Sequence, residues 1–290
     1  MKTPTYPALG LAVLCAAGLC TQARAGIFSN NFNMLVVAEQ LAAPAQQDNP
    51  SSYVAIDGGY IEAGDSLAGD TPPTADQIRQ DLQAALSEHS FQAAQGTPSV
   101  VLAYYWGILR VDHRQIKVPY GIKSNLMARI ELVSTVKLGE EVENHILLRE
   151  KGSGTNEDVS SPVILAGSLE TVQQDARMPR MFIVVSAYDY QALVHREAKV
   201  LWRVKLSALD TSGEMREVLP ALIAGGAPYF GKNLTDLRDV EVSLSTGSQA
   251  TLVGASARPT LESLQLDKQF VGSLLRQERG KISGLGAYDE

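Results

Sequence analysis

The sequence predicts an α+β fold, a mixed and mostly antiparallel sheet with helices packed on it. Three observations lead there. Ser99 to Val111 and Arg180 to Tyr188 are almost continuously apolar, as strands covered on both faces are. Lys199 to Leu209 alternates apolar and charged residues with the period of a half-exposed antiparallel strand. Two other stretches repeat apolar residues at helical spacing, Ile78-Leu82-Ala85-Leu86 and Met215-Val218-Leu219-Leu222-Ile223. Interleaved segments of these kinds make a sheet with helices on it.

The chain begins with Lys2, an apolar run from Ala8 to Cys20, and the small-residue pattern Ala23-Arg24-Ala25. This predicts a secretory signal peptide over residues 1–25, cut before Gly26. Both cysteines, Cys15 and Cys20, fall within it, so the mature chain would hold no disulfide, thiolate metal site or cysteine nucleophile. Leu19 and Leu14 precede these cysteines where a lipid-attachment motif wants a small residue, so simple export is favoured over lipid anchoring. The expected location is the periplasm or the medium.

Gly26 to Ser52 reads as a lead-in and linker, with Phe32, Met34, Leu35, Val36 and Val37 able to supply a short strand or helix. Tyr53 to Ile61 reads as a strand, and Gly58-Gly59 within it as a bulge or a close backbone approach. Thr74 and Gln77 stand at the reciprocal positions of a capping box, opening the helix that carries Ile78, Leu82, Ala85 and Leu86. The apolar strand from Ser99 follows, with Gly107 in its middle. Gly121 to Leu138 fits both a helical face and an alternating strand; its length without turn residues favours helix.

Lys151 to Ser161 is a polar loop, and Ser161-Pro162 opens a helix with proline at its first position. After the strand from Arg180, Asp189 to Ala198 returns the chain to the alternating strand, where Lys199, Arg203 and Lys205 would face solvent. Asp210 to Gly213 turns into the helix from Met215, in which Pro220 should kink the helix or mark its true start. Val240 to Leu244 is a last strand, Thr246 to Arg258 a flexible stretch, and Leu261 to Arg276 a peripheral amphipathic helix. The implied organisation is one α+β domain over residues 53–235 and a C-terminal extension over 236–290.

Composition narrows the function. The formal charge of −7 includes two basic residues of the leader, so the mature chain is more acidic still and carries no basic stripe. It would repel a phosphate backbone, and nucleic-acid binding is not expected. After the leader no apolar run is long enough to span a bilayer.

The segment KVLWRVKLSALDTSGEMREVLPALIAGGAPYFG, Lys199 to Gly231, resembles the last strand and helix of an uncharacterised domain family of bacterial envelope proteins, many of them lipoproteins. Leu201-Trp202-Arg203 matches the late strand of that family, Met215 to Gly225 its helix, and Tyr53 to Val111 its early half. The resemblance implies a small α+β domain. It brings no known activity, and this chain departs from the family in lacking a good lipid-attachment motif and in its long middle insertion.

Motifs for specific chemistry are missing from the sequence. His89, His113, His145 and His195 are far apart and show no metal-ligand spacing. Gly152-Ser153-Gly154 lacks the spacing of a nucleophile elbow. No phosphate-cradling or dinucleotide motif is present, so no cofactor is expected. Asp57, Asp112 and Asp189 stand in or just after strands, where paired carboxylates could perform glycoside hydrolysis. Asp65 and Asp70 lack calcium-loop register. Tyr104 and Trp106 share a strand, and Tyr188 and Tyr190 flank Asp189, so an aromatic patch with carboxylates is a candidate surface for sugar or peptide. The leading expectation is an exported, non-enzymatic envelope protein that binds another envelope protein or a cell-wall component. A hydrolase using the strand-end carboxylates and a carrier of small ligands or lipids are the alternatives.

Overall fold

The computed structural model describes residues 31–43, 51–64, 71–110, 128–141, 171–172, 174–234, 237–244 and 260–283. The expected leader at residues 1–25, Asp65, Asp70, Asp112, His113, His145, the expected loop at residues 151–161, the helix expected from Ser161-Pro162 and the stretch at 246–258 lie outside the described residues.

The strands are β1 (Asn31–Gln40), β2 (Ser51–Ala63), β3 (Phe91–Ala93), β4 (Val100–Leu109), β5 (Arg180–Asp189), β6 (Val200–Leu209) and β7 (Arg238–Ser243). They form one sheet in the order β3-β2-β4-β5-β6-β1-β7. β2 runs parallel to both β3 and β4, and every other pairing is antiparallel, so the sheet is mixed and mostly antiparallel. The helices are α1 (Ala75–Ser87), α2 (Tyr190–Val194), α3 (Met215–Gly226) and α4 (Lys268–Ser283), with further helical stretches at 128–133 and 136–141.

The sheet is covered on both sides. α1 and α3 pack on one face, where Ile78, Leu82, Leu86, Val218, Leu219 and Leu222 meet Leu102, Tyr104, Ile183 and Val204. The helical stretches of 128–141, together with α2 and α4, pack on the other, where Ile130, Val133, Leu193, Val271 and Leu274 meet Val101, Tyr105, Phe182 and Val184. That is why every residue of β4 and β5 is buried. Each large apolar side chain removed from water here contributes about 1.5–3 kcal/mol.

α1 starts where the capping box places it. Thr74 Oγ1 accepts from Gln77 N, and the Gln77 side chain accepts in return from Thr74 N at 2.8 Å. Its buried face is Ile78, Leu82, Ala85 and Leu86. Pro220 neither starts nor ends α3, which runs from Met215 through it. Proline gives up one backbone hydrogen bond there, and the buried Leu219, Ala221, Leu222 and Ile223 around it hold the helix in place.

The sheet reaches past the boundaries drawn at residues 53 and 235. β1 comes from the expected lead-in and inserts between β6 and β7, and β7 comes from the expected extension. The run of Met34 to Ala38 in β1 is buried on both faces, and a strand of that kind pairs on both sides. β6 is also corrected. It is not half-exposed, because α4 and the 128–133 helix cover the face that carries Arg203 and Lys205. α4 is accordingly not peripheral, since it caps the sheet with Val271, Leu274, Glu278 and Ile282 turned inward.

Candidate functional site

Among the described residues, a cavity to which the chain offers both backbone and polar side chains lies at the β2 edge. β3 accompanies β2 only over Ser51–Tyr53. Ser51 N donates to Ser90 O at 3.0 Å, and Ala94 N donates to Tyr53 O at 2.9 Å. In a strand, alternate residues turn their backbone groups to the same side, so Ala55 and Asp57 present theirs along the line that β3 has left. Among the described residues no strand continues that line.

A groove of about 280 Å³ opens there. It wraps the strand edge, taking Tyr53, Ala55 and Asp57 from one face of β2 and Val54 and Ile56 from the other. Its walls are Ala75, Asp76, Arg79 and Gln83 of α1 on one side and Leu261 on the other, and Ala93 and Ala94 close the end where β3 stops. Tyr104 and Leu82 line its buried floor. Burial pushes the Tyr53 phenol up to about 12, so it stays neutral at physiological pH. The rim is polar: Arg79 bonds Asp76 at 3.3 Å, and Asp57 Oδ1 accepts from Gly59 N at 2.7 Å. The second bond holds the bulge, at which the pairing with β4 slips between Asp57 and Gly59. An apolar floor, a strand edge and a few polar rim groups suit an extended chain.

The candidate residues separate. Asp57 and Tyr104 reach this groove. Trp106 does not form a surface patch; it is buried against Tyr104, stacked at 5.9 Å, and against Tyr60 at 6.5 Å. Tyr188 is buried on the opposite side of the sheet with Tyr105, and burial pushes both phenols far up. Tyr190 is buried too, its hydroxyl donating to Leu264 O at 3.0 Å. Asp189 caps α2 by accepting from Ala192 N at 3.1 Å and bonds Lys199 Nζ at 3.3 Å. Asp57 sits opposite Tyr104 and Asp189 opposite Val100 on the intervening strand, which separates their backbone positions by roughly 16 Å at standard strand spacings. They do not form the 5–10 Å pair that glycoside hydrolysis asks of two carboxylates. Among the described residues no group of His, Asp and Glu could hold a metal ion.

Asp76, Arg79 and Gln83 escape a reading of the sequence, because on the helix they look like an ordinary solvated face. The same holds for the buried charges on the other side of the sheet. Lys205 Nζ lies 3.0 Å from Glu131 Oε1 and 3.0 Å from Ser134 O, and Arg203 bonds Ser186 and Glu278. Burial alone would raise the Glu131 carboxyl, but Lys205, by charge and hydrogen bond, and then Arg203 outweigh it and hold it below the usual range. The cavity beside this cluster is about 10 Å³, the size of a single water, so the cluster fastens layers together and offers no room to a ligand.

No protein-family model matches the chain, and no curated protein matches it. Among solved structures it is similar to a PelC dodecamer from Paraburkholderia phytofirmans, at 12% sequence identity and a TM-score of 0.30, with 69% of this chain and 99% of that chain covered. A likeness at that TM-score carries no weight for fold or function.

Proposed function

We propose that this chain is an exported envelope protein that works by binding, not by catalysis, and that its groove takes an extended segment of a partner protein along the β2 edge. One observation carries the reading: the groove wraps that edge at the point where β3 stops, beside Ala55 and Asp57. A peptide laid there would continue β3, gaining main-chain hydrogen bonds from β2 and side-chain contacts from Tyr53, Tyr104 and the α1 wall. The separation of Asp57 from Asp189 supports binding over hydrolysis, and the leader pattern supports export.

Two measurements test it. Expression of the full chain in a Gram-negative host, followed by osmotic shock and mass spectrometry, should find it in the periplasmic fraction beginning at Gly26; retention of residues 1–25 in the cytoplasm would overturn export. A photo-crosslinking residue placed at Ala55 should trap a defined protein from the envelope, and the same residue at the exposed Leu41 should not. Equal crosslinking from both positions would overturn the groove.

A further inference from the structure

The open part of the β2 edge is short. Tyr53 O is taken by Ala94 N at 2.9 Å, and past the bulge Arg279 of α4 donates to Tyr60 O at 2.8 Å. Between them Ala55 turns its backbone N–H and carbonyl away from β4, and neither meets a partner among the described residues. A strand laid opposite Ala55 would meet Ala94 about 7 Å further along, two residues at strand rise. A segment from the middle of a chain would have to leave the sheet at that point, whereas a chain end stops there. The groove volume, about 280 Å³, is at the small end for ligand pockets, as a chain end requires.

The surrounding groups select which end. α1 runs opposite to β2, because the chain leaving its C-terminal end gives Ser90 O to Ser51 N at the start of β2. Gln83 therefore stands nearer to Tyr53 and Ala94 than Asp76 does, and Arg79 lies between them, about one turn from each. These residues hold donors that the fold leaves unused. Arg79 gives one nitrogen to Asp76, and its Nε is buried without a partner. The Gln83 amide and the Tyr53 hydroxyl line the groove and make no hydrogen bond among the described residues. Tyr53 is held edge-on against Phe91, with ring centroids 6.5 Å apart, and its phenol stays protonated at neutral pH because burial raises it to about 12. A guanidinium, a phenol and an amide converging on the closed end suit a carboxylate. The acids of the lining, Asp57 and Asp76, stand towards the opposite end, and their charge keeps a carboxylate from lying there.

We infer that the groove is a pocket for the free C-terminus of a partner protein, with the terminal carboxylate held by Arg79, Gln83 and Tyr53 and an apolar last side chain. The inference rests on the strand docking proposed above and gives it a chemistry. With its end at Tyr53, the partner runs antiparallel to β2. In that direction one of its residues exchanges two main-chain hydrogen bonds with Ala55. Leu82 and Tyr104 on the floor and Leu261 on the wall receive the apolar side chain.

The test uses the full chain and a synthetic array of random hexapeptides, one copy ending in free carboxylates and one in C-terminal amides. The strongest binders of either copy are labelled at the N-terminus and made in both forms. Their Kd is measured against the wild type, Arg79→Gln, Arg79→Lys and Gln83→Ala, with octanoate as a small competitor, and amide exchange at Ala55 is followed in each complex. The free acids should end in an apolar residue and bind about tenfold tighter than their amides, as a charge-assisted hydrogen bond provides. Arg79→Gln should abolish that preference, Arg79→Lys should keep part of it, Gln83→Ala should weaken the acids alone, and Ala55 should be protected in the complex. Arg79 is part-exposed on a helix and both substitutes are good helix formers, so thermal unfolding should stay unaltered. Acids and amides that bind equally and protect Ala55 equally overturn the carboxylate pocket and leave the strand docking standing. Octanoate that displaces the peptides at equal concentration without protecting Ala55 assigns the site to free organic acids and overturns the protein C-terminus as its occupant. No binding by any peptide, acid or amide, overturns the docking itself.

Discussion

Arg203 on β6 and Glu278 on α4 form an ion pair buried on both sides, with 8% and 7% of the two side chains exposed. Arg203 also donates to Ser186 Oγ at 3.0 Å and lies 3.7 Å from Glu131. Its charge is therefore shared between the sheet and two helical segments. Removing one partner strands the other in a dry site, whereas replacing both with apolar groups does not. Glu278→Ala should cost about 3 kcal/mol by urea unfolding, and the double change Arg203→Met with Glu278→Leu should cost clearly less than the sum of the single changes. Simple additivity would mean that the pair is solvated.

Lys205 ties the neighbouring helix to the sheet by a different route. It reaches the carbonyls of Glu131 and Ser134, where the 128–133 helix ends, and places a cation at a helix C-terminus. It also helps to hold the Glu131 carboxyl below its usual range. Stability from a depressed carboxylate is present above the unfolded value, near 4.3, and is lost as the pH falls through the folded one. Lys205→Met should lower stability by about 2 kcal/mol near neutrality, and this deficit should shrink as the pH falls through the folded Glu131 value, because the wild type loses the contribution there. Urea midpoints measured as a function of pH, with a deficit that stays constant down through the acid range, would overturn this account.

These charges explain why β6 was legible in the sequence as a strand but not in its burial. The alternation of Val200, Trp202, Val204 and Leu206 with charged residues marks a strand in either environment. What decides burial is a carboxylate far along the chain, Glu131 or Glu278, that no local pattern reveals. By contrast α1, with its capping box and its four-residue face, and the apolar β4 and β5 follow from nearest-neighbour physics alone. The candidate site divides in the same way. Gly58-Gly59 announced a bulge in the sequence, and Asp57 stands beside it. Arg79 and Arg279 came to the groove and to the edge only through tertiary packing.

Asp81 on α1 runs opposite to Glu131. Burial pushes its carboxyl up to about 6. A raised carboxyl stabilises the fold below the unfolded value, near 3.9, and that contribution is lost as the pH rises through the folded value, so the falling window is roughly pH 4 to 6. Asp81→Asn should remove this slope and be more stable than the wild type at pH 7 by on the order of 1 kcal/mol, discounted for its partial exposure. The two proteins should be equally stable near pH 3. A carbon-detected NMR titration of the Asp81 carboxyl checks the displaced pKa directly.

Asp189 is a structural carboxylate. Its side chain accepts from Ala192 N and meets Lys199, closing the turn between β5 and β6. Asp189→Ala should cost about 1–2 kcal/mol of stability, as loss of an N-cap does, and Asp189→Asn should recover most of it, because asparagine caps equally well. Any binding measured at the β2 groove should be the same in both variants. A change in binding without a change in stability would return Asp189 to the functional site.

Gly58 connects the edge of the sheet to the layer above it. A Cβ at this position would strike the Tyr105 ring at 2.2 Å, and Tyr105 holds α4 through Leu275 O. A rigid, fully buried ring cannot yield as the end of a flexible side chain would. Gly58→Ala should therefore act at a distance. Tyr105 should shift, α4 should exchange its backbone hydrogens faster than in the wild type, and overall stability should fall by about 1–3 kcal/mol. Truncating the ring in the same chain, Gly58→Ala with Tyr105→Leu, should relieve the clash but not restore the Leu275 bond. Stability should then recover in part while α4 stays fast to exchange. Full recovery of both would show that the ring fills space on β4 without fastening α4.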